Sequence, residues 1–358
     1  MKAVFLDGHG GNEVVKIGQR PQPVPGPGEA LVRLNAATLN RVDLYMRDSG
    51  AGITHTLPQV MGLDGSGRIE QLNAPESLLA VGQEVVVHPG ISCGHCEYCL
   101  RGETVLCTTI RFLGEHRDGT LAEYVCLPAR NVFPKPAALS HAEAAALGVN
   151  HLTAWRMLFT KARLQPGETV LIFGIGGGVS LAALQFAREI GARAVVTSRD
   201  DEKLRRALAM GAAFAINSSS DDVARKVMAF TGGRGVDVVF ENVGQAVWPS
   251  ALRSLARGGR LVLCGATSGD APSADLRRLF VRHIQIFGSS LGTLDEYRHM
   301  LAFIQNTGLR PVIDASYALD DIHAALEHLE SGRQFGKIAV EIAQGGGIPC
   351  AEPHAENA

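Results

Sequence analysis

The segment Val170–Ser180, VLIFGIGGGVS, restricts what this chain can become more than any other stretch. An apolar strand runs into Gly174, Gly176, Gly177 and Gly178, and these lead into an amphipathic helical pattern. A strand, a tight glycine turn and a helix in that order open a parallel sheet, because parallel neighbours need a crossover between them. The alternation continues downstream. After a strand at Thr169–Phe173, the spacing predicts helix Val179–Ile190, strand Ala194–Thr197, helix Asp201–Met210 and strand Phe214–Ile216. Helix Asp221–Phe230, strand Val236–Phe240, helix Ala246–Ala256 and strand Arg260–Cys264 complete the series. Gly191 and Gly211 fall just past two helix ends, where a left-handed cap favours glycine. This pattern predicts an α/β domain with a doubly wound parallel sheet, the Rossmann arrangement.

The first third of the chain reads differently. Short strands at Lys2–Leu6, Ala30–Ala36, Ser66–Gln71 and Glu84–His88 are separated by turn sequences such as PQPVPGPGEA (21–30). This predicts a β-rich, barrel-like domain. Residues 137–159 are helical in composition, with an interruption near Gly148. Beyond the sheet come strand Ile284–Gly288, helices Leu294–Asn306 and Ile322–Glu330, and strand Lys337–Ile342. The expected organisation is a β-rich domain over 1–148, a nucleotide domain over 149–289, a return to the first domain over 290–342 and a disordered tail over 343–358. A length of 358 residues is enough for two cores.

A net charge of −2 gives no electrostatic basis for binding nucleic acid or acidic membrane surfaces. No apolar run reaches the length of a membrane span, and the burst Ala3–Leu6 is too short for a signal-peptide core. A cytoplasmic protein with a small-molecule substrate is expected. The cysteines agree: Cys93, Cys96, Cys99 and Cys107 cluster in one stretch, unlike the dispersed pairs of a secreted disulfide scaffold. The spacing C-x2-C-x2-C-x7-C lets one loop wrap a tetrahedral Zn2+. Four thiolates leave no open position, so the zinc is structural and forms a lobe over 93–107.

The glycine turn predicts a dinucleotide whose pyrophosphate lies on the following helix N-terminus, with Ser180 as the small residue that lets helix and strand approach. The second strand ends at Ser198, where an acid would select a free ribose hydroxyl. Ser198 is neutral, and Arg199 and Lys203 bring two cations that suit a 2′-phosphate. NADP(H) is therefore expected, although Asp200 could bond a ribose instead.

With these features in place, the chain resembles the medium-chain dehydrogenase/reductase superfamily, which includes zinc alcohol dehydrogenases and quinone oxidoreductases. The resemblance spans about 1–342 and rests also on NRVDLYMR (40–47), MGLDGSG (61–67), VGQEVVV (81–87), GTLAEY (119–124), HLTAWRML (151–158), GSSLGT (288–293) and QFGKIAV (334–340). It implies a GroES-like catalytic domain joined to the Rossmann domain, and a homodimer or homotetramer, with Ile284–Gly288 as an edge strand for pairing across a two-fold. Thr153, Gly265, Gly288 and Lys337 join the candidate cofactor contacts.

The resemblance also shows a departure. Where the zinc alcohol dehydrogenases carry their three catalytic-metal ligands, this chain has Asn40, Leu63 and Val149. Leucine and valine cannot coordinate a metal. The pattern N-x-x-D-x-Y-x-R, here Asn40, Asp43, Tyr45 and Arg47, is similar to the quinone oxidoreductase branch, in which the Asn and Tyr border the nicotinamide. The expected activity is hydride transfer from NADPH to a quinone or an activated alkene or carbonyl, with no catalytic metal. Asn40 and Tyr45 would stabilise developing charge on oxygen, and His151 or His116 would be a proton donor. A zinc-independent alcohol dehydrogenase or carbonyl reductase and a non-catalytic NADPH-binding protein are the alternatives.

Overall fold

The computed structural model describes residues 1–52 and 56–342, so the expected tail 343–358 lies outside the described residues, as do Ile53 and His55. The glycine turn leads into a six-stranded sheet with all neighbours parallel. In spatial order the strands are Phe214–Asn217, Arg193–Ser198, Thr169–Ile172, Val236–Glu241, Leu255–Leu263 and Gln285–Gly288. The order therefore reverses direction beside Thr169–Ile172, and the crevice at the strands' carboxyl ends there is where such sheets bind nucleotides. The period of two along the first strand explains the two helical layers. Val170 and Ile172 enter one core with Leu181 and Leu184 of the Gly178–Glu189 helix. Leu171 and Phe173 enter the other with Val227, Trp248 and Leu252. Each fully buried side chain of this size contributes about 1.5–3 kcal/mol.

The β-rich part is built on the long strand Glu29–Thr38, which pairs antiparallel with Asp64–Asn73, Tyr124–Pro128 and Lys337–Glu341. Lys2–Leu6 forms a smaller sheet with Val15–Gln19 and Gln59–Val60. Val32, Leu34, Val85, Leu127, Ile338 and Val340 fill the core beneath. The chain's last strand thus lies beside one of its first. Its register sets Ala339 opposite Thr38. Continuing that register by two residues brings Lys337 level with Asn40, at the start of the Arg41–Ser49 helix.

Several boundaries differ from expectation. The expected helix Ala246–Ala256 covers only Trp248–Ser254, and Ala256 belongs to the strand Leu255–Leu263. Leu255 pairs with Val236, and that sheet contact prevails over the local helical pattern. Between the last two strands of the parallel sheet, the chain forms the helix Leu276–Arg282, which leaves Phe280 exposed. Strand Ile313–Ala318 was not anticipated; its half-exposed residues have no clear apolar alternation, and it forms by pairing parallel to Lys337–Glu341. The expected break near Gly148 is a π-type turn over Leu147–His151, followed by a second over Arg156–Lys161.

Candidate active site and zinc lobe

The sulfurs of Cys93, Cys96, Cys99 and Cys107 all lie within 4.8 Å of one another. Tetrahedral Zn–S bonds of about 2.3 Å require sulfurs about 3.8 Å apart. The Cys93–Cys99 and Cys96–Cys99 separations are 3.9 and 3.5 Å, so the set fits zinc. Backbone N–H groups already face the thiolates: Cys93 donates to Cys107 Sγ at 3.2 Å and Cys96 to Cys93 Sγ at 3.3 Å. His95 points its Nδ1 at the Cys93 carbonyl, 3.1 Å away, and stays outside the set. We expect one zinc per chain by elemental analysis. Cys99→Ser should lose metal and thermal stability while the folded fraction keeps its hydride chemistry. Two zincs, with turnover following the more labile one, would contradict this.

At the glycine turn, Gly174 and Gly176 take φ of 65° and 113°, which only glycine adopts readily. Gly177 and Gly178 open the helix and present its free N–H groups. Ser180 is fully buried; it donates to the Phe173 carbonyl and accepts from Asn242 Nδ2, both at 2.9 Å. Its contribution is thus to lock helix to strand rather than to hold phosphate. Ser198 Oγ accepts from the Asp200 N–H, and Asp200 Oδ1 caps the next helix at Glu202 and Lys203. Lys203 crosses Gly176 and donates to the Gly332 carbonyl at 2.6 Å. Arg199 stands exposed beside them. Gly265 and Gly288 lie at the carboxyl edge of the sheet, and Thr153 is buried in the helical turn 152–155.

Above the turn lies a buried polar centre. Lys337 is 3% exposed; its Nζ donates to the Leu39 carbonyl and Asn40 Oδ1, both at 2.7 Å, and to Asp64 Oδ2 at 3.2 Å. The same Asp64 oxygen accepts from Thr38 Oγ1 and Asn40 Nδ2, each at 2.8 Å. Asn150 Nδ2 donates to Asn40 Oδ1 at 2.8 Å. Burial lowers the Lys337 pKa, and the facing Asp64 carboxylate opposes that shift. Asp64 Oδ1 is buried with no hydrogen-bond partner among the described residues, against Gly148, where a Cβ would approach to 2.6 Å. The centre touches the glycine turn directly. A Cβ on Gly178 would lie 1.9 Å from Asn150 Oδ1 and 2.9 Å from Lys337 Cδ, so glycine is required there for packing as well as for phosphate access.

Sequence reasoning placed Asn40 at the centre and Lys337 among the cofactor contacts, and the structure brings the two together. The expectation that Asn40 offers a free donor needs correction, because its amide N–H groups go to Asp64 and, at 3.4 Å, to the Thr38 carbonyl. His151 is also placed differently from a donor facing the cleft. It is buried, its Nδ1 and Nε2 face the Ala146 carbonyl and Gln185 Oε1, and burial pushes its pKa down to about 4. Tyr45 is half-exposed on the Arg41–Ser49 helix. Asp43 is buried, accepts from the Asn40 N–H at 2.7 Å, and is pushed up to about 7 by burial. Arg47 pairs with Asp48 and Glu330 and not with Asp43. Asp64, Asn150 and Glu115 were not singled out as site residues. MGLDGSG and the pair Asn150–His151 contained a signal for the first two, whereas an acid in a loop carries none.

Comparison with known proteins agrees with this architecture. Residues 26–137 match the Alcohol dehydrogenase GroES-like domain family and residues 178–306 the Zinc-binding dehydrogenase family. A zinc-type alcohol dehydrogenase-like protein of Schizosaccharomyces pombe is 34% identical over 88% of this chain and 91% of its own length. An alcohol dehydrogenase of Geobacillus stearothermophilus is 31% identical over 88% and 92%. Among solved structures, an NAD-dependent alcohol dehydrogenase superposes with a TM-score of 0.92 at 40% identity, covering 96% of this chain and all of that one. A crotonyl-CoA carboxylase/reductase superposes with a TM-score of 0.88 at 28% identity, over 96% and 88%. The fold and site define an oxidoreductase with a GroES-like domain and a Rossmann domain. The chain belongs to the medium-chain dehydrogenase/reductase superfamily. No helix among the described residues is long and apolar enough to cross a membrane.

Proposed function

We propose that this protein is an NADPH-dependent reductase of quinones or activated alkenes and carbonyls that works without a catalytic metal. The observation that carries the reading is the Lys337 ammonium bonded to Asn40 and Asp64, where the metal ligands of zinc alcohol dehydrogenases would converge. A buried monocation already balances Asp64 there, and Leu63 and Val149 supply no ligand atoms. Alcohol oxidation at neutral pH relies on a metal to stabilise alkoxide, whereas an enone or quinone carries its electrophile in its own conjugation. The nicotinamide supplies hydride when bound. Lys337, Asn40 and Asn150 hold the floor of the cleft rigid against the glycine turn, and Tyr45 offers its hydroxyl to a substrate oxygen. The likeness to a crotonyl-CoA carboxylase/reductase supports an activated alkene as one substrate class. The relatives named alcohol dehydrogenases favour a second reading, a zinc-independent carbonyl reductase.

NADPH oxidation measured with 1,4-benzoquinone, 2-alkenals and simple aldehydes separates the two. Turnover on the first two classes and little on the third is expected. Turnover on simple aldehydes alone would select the second reading, and no turnover on any would leave a nucleotide-binding protein without catalysis. The half-exposed edge strand Gln285–Gly288, with exposed Phe280 and Ile286 nearby, supports assembly as a homo-oligomer through that edge.

Arg199 carries the preference for the 2′-phosphate in this reading, since Lys203 already bonds Gly332 and Asp200 is committed to its helix cap. A charge-assisted bond of about 1.5–3 kcal/mol should make NADPH bind roughly 10–150-fold more tightly than NADH. Arg199→Ala should remove most of that ratio and leave NADH affinity unchanged. Equal affinities in the parent protein by calorimetry would refute the assignment.

A further inference from the structure

We propose that Glu115 is a catalytic residue: its carboxyl is the acid that gives a proton to the substrate as hydride arrives. The proposal rests on the reductase reading above and names the proton source that reading lacks.

Glu115 lies on the turn that crosses Met61–Asp64, the segment that supplies Leu63 and Asp64 to the centre. Thr120 and Leu121 donate to the carbonyls of Gly62 and Met61 at 3.0 and 2.9 Å. Gly114 sits so close that a Cβ there would come within 2.7 Å of the Gly62 carbonyl, and its φ of 73° also calls for glycine. The next residue, Glu115, is therefore fixed beside the start of the Arg41–Ser49 helix, within electrostatic reach of Asp43.

Its side chain is only 8% exposed, yet no hydrogen bond to its carboxylate is found among the described residues. His116 Nδ1, 4.0 Å from the carboxylate, accepts from the Phe112 N–H at 3.1 Å, so that nitrogen carries no proton to offer. Of the other charged groups around it, Arg111 donates to the His116 carbonyl and Arg117 to Glu29 and the Cys126 carbonyl. Asp43, facing it from the helix, is an acid. A buried carboxyl with no donor and a like charge opposite keeps its proton: burial first, and Asp43 second, push Glu115 up to about 7. In the neighbouring polar centre the donors are engaged. The amide hydrogens of Asn40 bond Asp64 and the Thr38 carbonyl, Lys337 makes three bonds, and His151 faces Ala146 and Gln185. Beside the half-exposed Tyr45 hydroxyl, Glu115 is the buried acid that still holds a proton to give.

In the step, the electrophilic carbon gains a hydride with its electron pair from the reduced nicotinamide. The C=O or C=C π pair moves to oxygen or to the α-carbon. The Glu115 O–H bond breaks to supply the proton there, and water later returns one to the carboxylate. The substrate is reduced by H− and H+, and the nicotinamide is oxidised.

The experiment has two arms. Infrared difference spectra of the cofactor-free protein between pH 5 and 9 should show a protonated carboxyl band with a midpoint near 7 that disappears in Glu115→Gln; an unchanged band assigns it to Asp43 alone and overturns the proposal. With NADPH and a 2-alkenal, Glu115→Gln should lose about 100–10,000-fold in kcat with NADPH Kd unchanged. Glu115→Asp should retain part of the rate and the loss of activity at high pH. A parent protein that reduces none of the substrates removes the reductase reading and this proposal with it. An active parent beside an equally active Glu115→Gln overturns the proposal alone.

Discussion

Lys337→Met is expected to destabilise the protein by about 3–5 kcal/mol, the usual cost of leaving one member of a buried ion pair without its partner. Asp64 is fully buried, and its Oδ2 would retain only the bonds from Thr38 and Asn40. Asn40 Oδ1 and the Leu39 carbonyl would lose their donor as well. The double change Lys337→Met with Asp64→Asn should recover much of the loss, because the charge that needed balancing is gone. Denaturant midpoints with unchanged slopes are the measurement. The effect should also depend on pH. Asp43 is raised above its unfolded value of 3.8 to about 7, so its contribution is fully present below pH 4 and declines as pH rises towards 7. The Lys337 charge opposes that rise, and removing it should steepen the decline on the alkaline side. A Lys337→Met protein within 0.5 kcal/mol of the parent would show that the ammonium does not sit in this pocket.

Asn40→Ala is expected to lower kcat for quinone or enone reduction by about 10–1000-fold, the range for losing one positioned group in a charge-stabilising site. Its amide joins Asp64, Lys337 and Asn150, and Asn150 in turn touches Gly178 of the nucleotide turn. Losing it should therefore loosen the floor of the cleft, with NADPH binding weakened as well. Tyr45→Phe is the contrasting variant. On a half-exposed side chain it should change stability by less than about 0.5 kcal/mol, and a fall in kcat with unchanged NADPH affinity would isolate the hydroxyl. Asn40→Cys should not create alcohol dehydrogenase activity or bind a second zinc, since Leu63 and Val149 still contribute no ligands. Full turnover in both Asn40→Ala and Tyr45→Phe would place the centre elsewhere.

The sequence by itself determined what local patterns can express. The period of two in Val170–Phe173 and the four glycines after it dictate a strand, a turn and a helix, whatever the rest of the chain does. Four cysteines within fifteen positions are held close by the chain itself, so a candidate metal site was legible from spacing alone. Asn40, Leu63 and Val149, at the positions where the resemblance puts catalytic-zinc ligands, were likewise plain as residue types. Tertiary structure alone decided what gathers around Asn40. Lys337 is 297 residues from Asn40, and only the antiparallel register of the last strand on Glu29–Thr38 brings its ammonium to Asn40 and Asp64. The same contacts engaged the Asn40 amide and turned His151 inward, which no spacing could reveal. Glu115 shows the reason most directly. In sequence it is an ordinary loop acid, and its proton is held by the water removed around it and by the charge of Asp43, seventy-two positions away. Burial and long-range charge are properties of the packed molecule, so a sequence can name the residues they act on but not the environment that gives them their chemistry.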